Sequence, residues 1–280
     1  EQEQDDFPGR KRIEEARKHM EEAKRRLEEA KRDGAADEQE EAIKQLEEAK
    51  AELEEILKQL REEELERVLA MLEQRFKEML AMQVKVYEGT LLLDQTPEER
   101  RAVDRQNFTI RAGRLSHAES KIVLAAEKAL IILREEGSAV AFPEVVSQMI
   151  DDMEQVVGLL AETKVGEITQ GIEEDVIAAL EEVIEALKKA QKEMEDDQPP
   201  PGEPPPPGPQ AEPPLIDMLA ELKMIKSLQL RVNRRTERYN KILKGERTAD
   251  PDLLRALREL ADRQERIYQV TRDIATGKNR

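Results

Sequence analysis

Cysteine is missing from this sequence of 280 residues, and tryptophan is missing with it. The absence of cysteine excludes disulfide bonds, zinc sites with cysteine ligands and catalysis by a thiol. Aromatic residues make up only 2% of the chain, so the large rings that anchor most globular cores are scarce. The remaining apolar residues are mainly leucine, isoleucine, valine, methionine and alanine, which suit narrow seams between packed helices.

Long apolar runs are also missing. No stretch of about 18 apolar residues occurs, so no segment is predicted to span a bilayer. Charged residues form 39% of the chain, and 63 acidic residues against 46 basic ones give a net charge of −17. Because an acidic chain repels phosphate backbones, we do not expect nucleic acid as a partner.

Patterns of catalytic or metal-binding residues are not found. The two histidines, His19 and His117, fall on separate predicted helices and form no recognisable zinc set. Ser116 precedes His117 at a predicted helix start, where a serine caps the helix end. Paired glutamates recur at heptad spacing beside lysine and arginine, as on a solvated helical face. We therefore predict no catalytic residue, no cofactor, no metal and no enzymatic activity.

The first helical segments carry a heptad pattern. From Arg10 to Lys31, apolar residues recur at alternating spacings of three and four: Ile13, Ala16, Met20, Ala23, Leu27 and Ala30. Gly34 then offers a helix end and Asp37 an N-cap, before a second heptad run. Residues 1–9 are expected to be extended or disordered, and residues 10–64 to form an antiparallel coiled-coil hairpin. The second helix is predicted to run from about Glu38 to Tyr87, so that the hairpin projects.

Residues 65–195 are predicted to continue as an up-and-down helical bundle. Glu88-Gly89-Thr90 is expected to end the long helix, and Pro97 to begin the next. Further helices are predicted over Leu115–Glu136, from Phe142-Pro143 and from about Glu167. No strand pattern occurs, so the predicted fold class is all-α: an elongated bundle with a projecting hairpin.

Residues 196–214 are rich in proline and are predicted to form an extended polyproline linker. The linker is expected to tether a second module, a helical hairpin over residues 215–280. That module carries 16 Lys and Arg against 10 Asp and Glu, a net charge of +6. Residues 1–214 carry 30 against 53, a net charge of −23. Such a charge asymmetry indicates a charged partner.

The first helix of the basic module is the best candidate for a binding site. Its cations alternate with apolar residues, as on a surface that docks another helix. We predict the following partner-binding residues: Leu222, Ile225, Leu228, Arg231, Arg234 and Arg235. Two alternatives remain open, a solvated basic face and a face that folds back onto the acidic bundle of the same chain.

Three segments carry a resemblance to a known family: Gly34–Glu64, Gly137–Gln155 and Leu215–Thr236. They resemble a family of uncharacterised bacterial coiled-coil proteins associated with cell-envelope gene clusters that encode TolQ/ExbB-type proton channels. The resemblance implies an exported envelope protein that assists an inner-membrane complex of that type. It implies no catalytic or ligand-binding residue.

The expected function is that of a non-enzymatic structural or adaptor protein, which binds protein partners or itself by helix–helix packing. The alternative is a peripheral membrane or polyanion binder that uses the basic C-terminal helix. The chain begins at Glu1 without a methionine, which fits removal of a signal peptide and equally a trimmed chain. We expect the periplasm or cell envelope of a bacterium, with the cytoplasm as the alternative.

Overall fold

The computed structural model describes residues 9–29, 32–196, 216, 218–243 and 251–277. Side chains are described for all of these except residues 32, 33, 195, 196, 241–243 and 251–255. The described residues form eight helices and no strand, which confirms the predicted all-α class. The helices are α1 Arg10–Glu28, α2 Arg32–Asp94, α3 Glu98–Val103, α4 Arg105–Glu136, α5 Ala141–Ala161, α6 Glu167–Asp196, α7 Met218–Leu243 and α8 Pro251–Ala275.

The chain divides into two compact units, residues 1–65 and residues 66–280. The first unit, called the hairpin below, contains α1 and the first part of α2. Arg12 of α1 pairs with Glu48 of α2, and its Nε lies 3.5 Å from Glu52 Oε2. Arg26, near the end of α1, places its Nη2 2.8 Å from Glu38 Oε1. The two helices therefore run antiparallel.

Helix α2 begins earlier than predicted, at Arg32, so Gly34 and Asp37 lie inside the helix. Gly34 does not end a helix here. Its carbonyl accepts a hydrogen bond from Arg26 Nη1 at 2.9 Å, and a Cβ on Gly34 would lie 2.9 Å from that same nitrogen. The glycine thus permits a close approach of Arg26, and the predicted N-cap at Asp37 is wrong.

Helix α2 also ends later than predicted, at Asp94, and Gly89 is one of its internal residues. A Cβ on Gly89 would lie 2.6 Å from Leu115 Cδ2, so the glycine makes room for the side chain of α4. Thr90 is likewise an internal residue of the helix, and its Oγ1 lies 3.1 Å from the carbonyl oxygen of Val86 one turn earlier. The predicted helix end at Glu88-Gly89-Thr90 is therefore wrong.

Helix α4 starts at Arg105, ten residues before the predicted Leu115. The short helix α3 before it ends at Val103. Ser116 consequently lies within α4 and does not cap it. Its Oγ donates a hydrogen bond to the carbonyl of Val157 on α5 at 2.9 Å. Gly137 ends α4 as predicted, in the left-handed conformation with φ 77°.

The core of the second unit lies between α2, α4, α5 and α6, where most large apolar side chains are fully buried. The rings of Phe76 on α2 and Phe142 on α5 stack with their centroids 6.2 Å apart. Around them lie buried residues from each helix, such as Leu69, Met79, Ile122, Leu133, Met149, Met153, Val176 and Leu180. This continuous core gives the neighbouring helices fixed positions.

The C-terminal helices α7 and α8 belong to this same compact unit. Helix α7 contacts α5, α6 and α8, and α8 contacts α5. This differs from the predicted organisation, in which residues 215–280 form a separate module on a tether. The predicted polyproline linker, apart from Asp196 at the end of α6, lies outside the described residues, as does nearly all of the predicted N-terminal segment.

Candidate protein-binding surfaces and a buried charge cluster

The six predicted partner-binding residues are divided between two faces of α7. Leu228, Arg231 and Arg235 are buried, with exposures of 0%, 6% and 3%. Leu222 and Arg234 are exposed, and Ile225 is half-buried. The prediction grouped these residues because they combine charge and apolarity in one stretch. Helical periodicity separates them, since positions 228, 231 and 235 share one side of the helix.

Arg235 joins α7 to α5 and α6 through a buried ion network. Its Nη1 and Nη2 donate to the two carboxylate oxygens of Asp152, each at 2.6 Å, and its Nε donates to Asp175 at 2.8 Å. Arg263 of α8 donates a further hydrogen bond to Asp152. Arg235, Asp152 and Asp175 are each nearly inaccessible to solvent. The basic helix therefore folds back onto acidic residues of its own chain.

These contacts decide the ionisation of Asp152. Burial alone would raise the pKa of this carboxyl, but the charges and hydrogen bonds of Arg235 and Arg263 outweigh burial and lower the pKa to about 2. Burial alone would lower the pKa of Arg235, but the charges and hydrogen bonds of Asp152 and Asp175 outweigh burial and raise it. Asp152 and Arg235 therefore stay ionised across the physiological range, and the network holds α7 and α8 in register on α5.

Glu221 fixes the other end of α7. Its Oε1 accepts hydrogen bonds from the backbone N–H groups of Val140 and Ala141 at 2.6 and 2.9 Å. Those groups lie at the start of α5, where the first N–H groups of a helix have no partner within the helix. The carboxylate of α7 thus caps α5, and burial raises the pKa of Glu221 against these hydrogen bonds.

The outer side of α7 carries an exposed stripe that we call the α7 stripe. Leu219, Leu222 and Leu230 are 54%, 47% and 48% exposed. Lys223, Lys226 and Arg234 are exposed on the same side. Successive positions in an α-helix are 100° apart, so these six residues fall within about one third of the circumference. The α7 stripe is therefore the part of the predicted site that is open to a partner.

The hairpin presents the larger apolar surface. Between its helices it buries alanines, with Ala16, Ala23, Ala42 and Ala49 no more than 3% exposed. The bulky apolar residues lie outside this alanine seam. We call them the hairpin stripe, and its members are 37–65% exposed: Ile13, Met20, Leu27, Ile43, Leu46, Leu53, Leu57 and Leu60. Small residues draw the two helices together, which leaves the longer side chains no room in the seam.

A shallow groove of about 450 Å³ opens along the hairpin. On α1 it is lined by Met20, Ala23, Lys24, Leu27 and Glu28, and on α2 by Gln39. Its apolar floor and charged edges match the apolar core and polar rim of protein interfaces. The groove is continuous with the α1 residues of the hairpin stripe.

Two buried carboxyls in the core of the second unit were not predicted from the sequence. Glu119 of α4 and Glu173 of α6 are both fully buried. Glu119 accepts a hydrogen bond from Gln83 of α2 at 3.0 Å, and Glu173 accepts one from Thr90 of α2 at 2.7 Å. Burial is the main cause that raises the pKa of Glu119 to about 8 and that of Glu173 to about 7.

A signal for these buried acids exists in the sequence. Glu119 lies three residues after Ser116 and three before Ile122, on the side of α4 that faces the core. Asp152 is placed in the same way between Met149 and Val156 of α5. These acids are spaced three or four residues from apolar residues and so lie on the apolar face of their helix. The solvated glutamates lie on the opposite face, and this difference in position distinguishes the two groups in the sequence.

Among residues 9–277, as far as they are described, no three His, Cys, Asp or Glu side chains lie close enough to hold a metal ion. None of the described helices combines the length and apolarity needed to cross a bilayer. Neither His19, which bonds Glu38 through Nδ1 at 2.6 Å, nor His117 inside α4 joins a larger group of ligands.

In comparisons with known proteins, no protein family, curated protein or solved structure matches this chain.

Proposed function

We propose that this chain is a structural or adaptor protein without enzymatic activity, which binds another helical protein or a second copy of itself along the hairpin stripe. One observation carries the proposal. Eight large apolar side chains lie outside the alanine seam of a single two-helix hairpin, each at least 37% exposed. Exposed large apolar side chains concentrated on one part of a molecule mark protein-interaction sites on soluble proteins.

Covering such a surface contributes a substantial free energy to binding. Complete burial of one leucine or isoleucine side chain contributes about 1.5–3 kcal/mol, so covering eight partly exposed ones contributes several kcal/mol. Two exposed series on α2 each keep a heptad period: Leu46, Leu53 and Leu60, and then Ile43 and Leu57 two heptads apart. A partner helix with its own heptad pattern could pack against both series at once.

The α7 stripe supports a second attachment point on the same chain. Its three leucines and three cations favour a helix with an apolar and acidic face. The family resemblance implies an accessory role in a TolQ/ExbB-type envelope complex. We therefore include the proteins of such a complex in this proposal as the expected partners. The chain would then hold two proteins together by two separate helical surfaces.

The alternative function, binding of a membrane or polyanion by the basic helix, loses most of its support. Arg231 and Arg235, two of the arginines on which it depends, are buried against Asp152 and its neighbours. Among the basic residues of α7 whose side chains are described, Lys223, Lys226 and Arg234 are exposed and Arg238 is half-buried. Charge reversal at Arg235 would disrupt folding and could not test membrane binding.

The test compares two double variants of the full chain. In the first, Ile43→Glu with Leu57→Glu places charges in the hairpin stripe at positions that are 56% and 65% exposed. The matched control, Leu124→Glu with Ile131→Glu, changes the same residue types at 57% and 55% exposure on α4. Light scattering at several protein concentrations measures self-association, and capture from bacterial envelope extract followed by mass spectrometry identifies partners.

We expect the wild type and the control to form a defined complex, either with a copy of the chain or with one specific protein. The hairpin variant should lose that complex while its helical circular dichroism stays unchanged. A wild type that is monomeric at all concentrations and captures no specific protein would contradict the proposal, as would a hairpin variant that binds as the wild type does.

A further inference from the structure

The alanine seam divides the hairpin into two sides that differ in chemistry. On one side Arg12 Nε lies 3.5 Å from Glu52 Oε2 and joins the two helices. Arg26 Nη2 and Glu38 Oε1 form a second such pair at 2.8 Å. These residues come four positions before a buried alanine or three after one. Most residues of the hairpin stripe come three before or four after instead, so the two series lie about 50° to opposite sides of the seam.

The apolar series of both helices border the same side of the hairpin, which we call the hairpin face. Met20 and Leu27 of α1 line the shallow groove together with Gln39 of α2. A heptad repeat brings residues seven positions apart to the same side of a helix. The other members of the two series therefore border the hairpin face as well: Ile13, Leu46, Leu53 and Leu60.

The two edges of the hairpin face differ in charge. Along α1, the exposed cations Arg17 and Lys24 follow one turn after the apolar residues, about 40° further around the helix. The glutamates of that edge lie about 60° further out. Along α2, Ile43 and Leu57 hold the positions equivalent to those cations, with Lys50 between them. Beyond these positions lies a row of exposed acids: Glu40, Glu47 and Glu54.

The register of the hairpin determines which residues of the two edges can meet. Arg12 of α1 is paired with Glu48 of α2, and five residues further along each helix Arg17 is level with Ile43. A two-fold axis parallel to the helices keeps every height unchanged. In a dimer on that axis, the apolar stem of Arg17 would cover Ile43 of the second copy. Its guanidinium then comes within about one turn of two acids of that copy: Glu40 and Glu47.

The apolar series also meet in this register. Ile13 and Leu46 adjoin the pair of Arg12 and Glu48 and therefore lie at almost the same height. Two copies bring two isoleucines and two leucines into one layer, as in the core of a four-helix bundle. The next layer combines Met20 with Gln39, and a polar residue in such a core favours a single register.

One like-charge contact opposes this alignment. Arg10 comes level with Lys50 of the second copy, and both residues are cations. Each of them has an acid of its own helix beside it, because Arg10 Nε lies 3.8 Å from Glu14 Oε1 and Lys50 Nζ lies 3.5 Å from Glu54 Oε1. These acids reduce the repulsion between the two cations.

We propose that the hairpin forms a symmetric dimer with a second copy of this chain, a four-helix bundle in which α1 of each copy packs against α2 of the other. The dimer rests on the proposed function, because the hairpin stripe supplies its core, and it commits to a second copy as the partner. A two-fold interface requires a surface that is complementary to itself. The hairpin face meets this requirement when its cationic edge faces its acidic edge. Packing α1 against α1 would instead bring the cations of both copies together.

The experiment measures the dissociation constant of the dimer by sedimentation equilibrium of the full chain at low salt. The test variant, Arg17→Glu with Lys24→Glu, reverses the cationic edge. The matched control, Lys11→Glu with Lys18→Glu, makes the same charge change at exposed positions with the same spacing. These control positions lie about 100° away around α1 and so outside the edge.

We expect the wild type and the control to dimerise equally well. The test variant should dimerise at least about tenfold more weakly, because two seams exchange attractive pairs for repulsive ones. Adding Glu40→Lys and Glu47→Lys to the test variant makes the two edges opposite in charge again and should recover most of the affinity. Circular dichroism checks that each variant keeps its helices.

A cross-link tests the arrangement even if charge reversal disturbs folding. Full chains with Arg17→Cys are mixed with full chains that carry Ile43→Cys, and a short bismaleimide is added. We expect the mixture to give far more cross-linked dimer than either variant alone, because these positions of two copies are opposite each other. Equal yields from the mixture and the separate variants would contradict the pairing of α1 with α2.

Three further results would overturn the dimer. A wild type that stays monomeric at all concentrations excludes the second copy; if it still captures one specific protein through the hairpin stripe, the proposed function stands. A dimer that is disrupted by Ile43→Glu with Leu57→Glu but not by the test variant has another arrangement. A dimer that survives the changes at Ile43 and Leu57 uses another surface, and it contradicts the proposed interface as well.

Discussion

The two compact units of this chain use their apolar residues in opposite ways. The hairpin buries alanines and leaves most of its leucines and isoleucines 37–65% exposed, whereas the second unit buries large side chains such as Leu72, Phe76 and Met149 completely. The second unit also buries charges, among them Asp152, Arg235, Glu119 and Glu173. The core of the second unit therefore pairs its charged groups internally. The hairpin instead leaves eight large apolar side chains 37–65% exposed along two helices, and we infer that another protein covers them.

The largest effect is expected where the second unit is most self-contained. Asp152→Ala leaves the guanidinium groups of Arg235 and Arg263 buried without their main acceptor. Removing one partner of a buried pair costs about 3–5 kcal/mol. Urea denaturation monitored by circular dichroism should show this loss. The control Asp151→Ala removes a carboxylate with 40% side-chain exposure and should cost at most about 1 kcal/mol. Equal costs would mean that burial of the network contributes nothing.

One substitution made in both units tests the comparison directly. Leu72→Ala removes a fully buried side chain from the second unit, and we expect a loss of about 2–5 kcal/mol in the free energy of unfolding. Leu57→Ala removes one that is 65% exposed in the hairpin, and should change stability by no more than about 0.5 kcal/mol. Denaturation at low protein concentration keeps self-association out of both values. A large cost for Leu57→Ala would show that the hairpin stripe stabilises the fold itself.

The buried carboxyls predict a pH dependence with a definite sign. The folded-state pKa values of Glu119 and Glu173, about 8 and about 7, lie above the usual value of 4.5. Between these values the folded chain binds more protons than the unfolded chain, so stability falls as the pH rises from about 4.5 to about 8. The loss should amount to several kcal/mol over this window, because each pKa unit corresponds to about 1.4 kcal/mol. Denaturation of Glu119→Gln across the same range should show a much flatter profile; a wild-type profile that rises with pH contradicts this account.

A smaller effect is expected from the alanine seam. Ala42→Leu inserts a large side chain at a position of the seam that is 2% exposed, and such overpacking costs about 1–3 kcal/mol. Hydrogen exchange should show faster exchange of the amides in α1, with no change in α4 to α6. Ala51→Leu, at an exposed position of α2, is the control and should leave the exchange rates as they are. Unchanged protection of α1 in Ala42→Leu would mean that the alanines do not set the helix separation.

Much of the fold follows from helical periodicity, and the errors arise where a residue serves tertiary packing. The all-α class and the helix end at Gly137 were predictable from local pattern alone. Gly34, Gly89 and Gly137 are each a single glycine in a helical pattern, but only Gly137 ends its helix. Gly34 and Gly89 lie inside α2, where the absence of a side chain leaves space for Arg26 and Leu115. A single sequence does not distinguish a glycine that ends a helix from one that admits a neighbour.

The partner site was predictable only in part, for a similar reason. Composition and charge identified α7 as the unusual helix, but they could not separate Arg234, which is exposed, from Arg235, which is paired with Asp152. That distinction depends on a carboxylate 83 residues away in the chain. The hairpin stripe could not be predicted because its residues have the spacing of buried ones. Its leucines and isoleucines fit a coiled-coil seam by spacing, and only the structure shows that alanines occupy the seam.

The most direct test of the central claim uses the absence of cysteine from the chain. Leu57→Cys and, as a control, Val103→Cys place single thiols at positions that are 65% and 89% exposed. Each full-length variant is labelled with benzophenone maleimide, added to envelope extract and irradiated, and the cross-linked products are identified by mass spectrometry. We expect Leu57→Cys to give one dominant product, with a second copy of the chain or with a single partner, and Val103→Cys to give none. Equal products from both positions, or none from Leu57→Cys, would contradict the claim that the hairpin stripe is an interface.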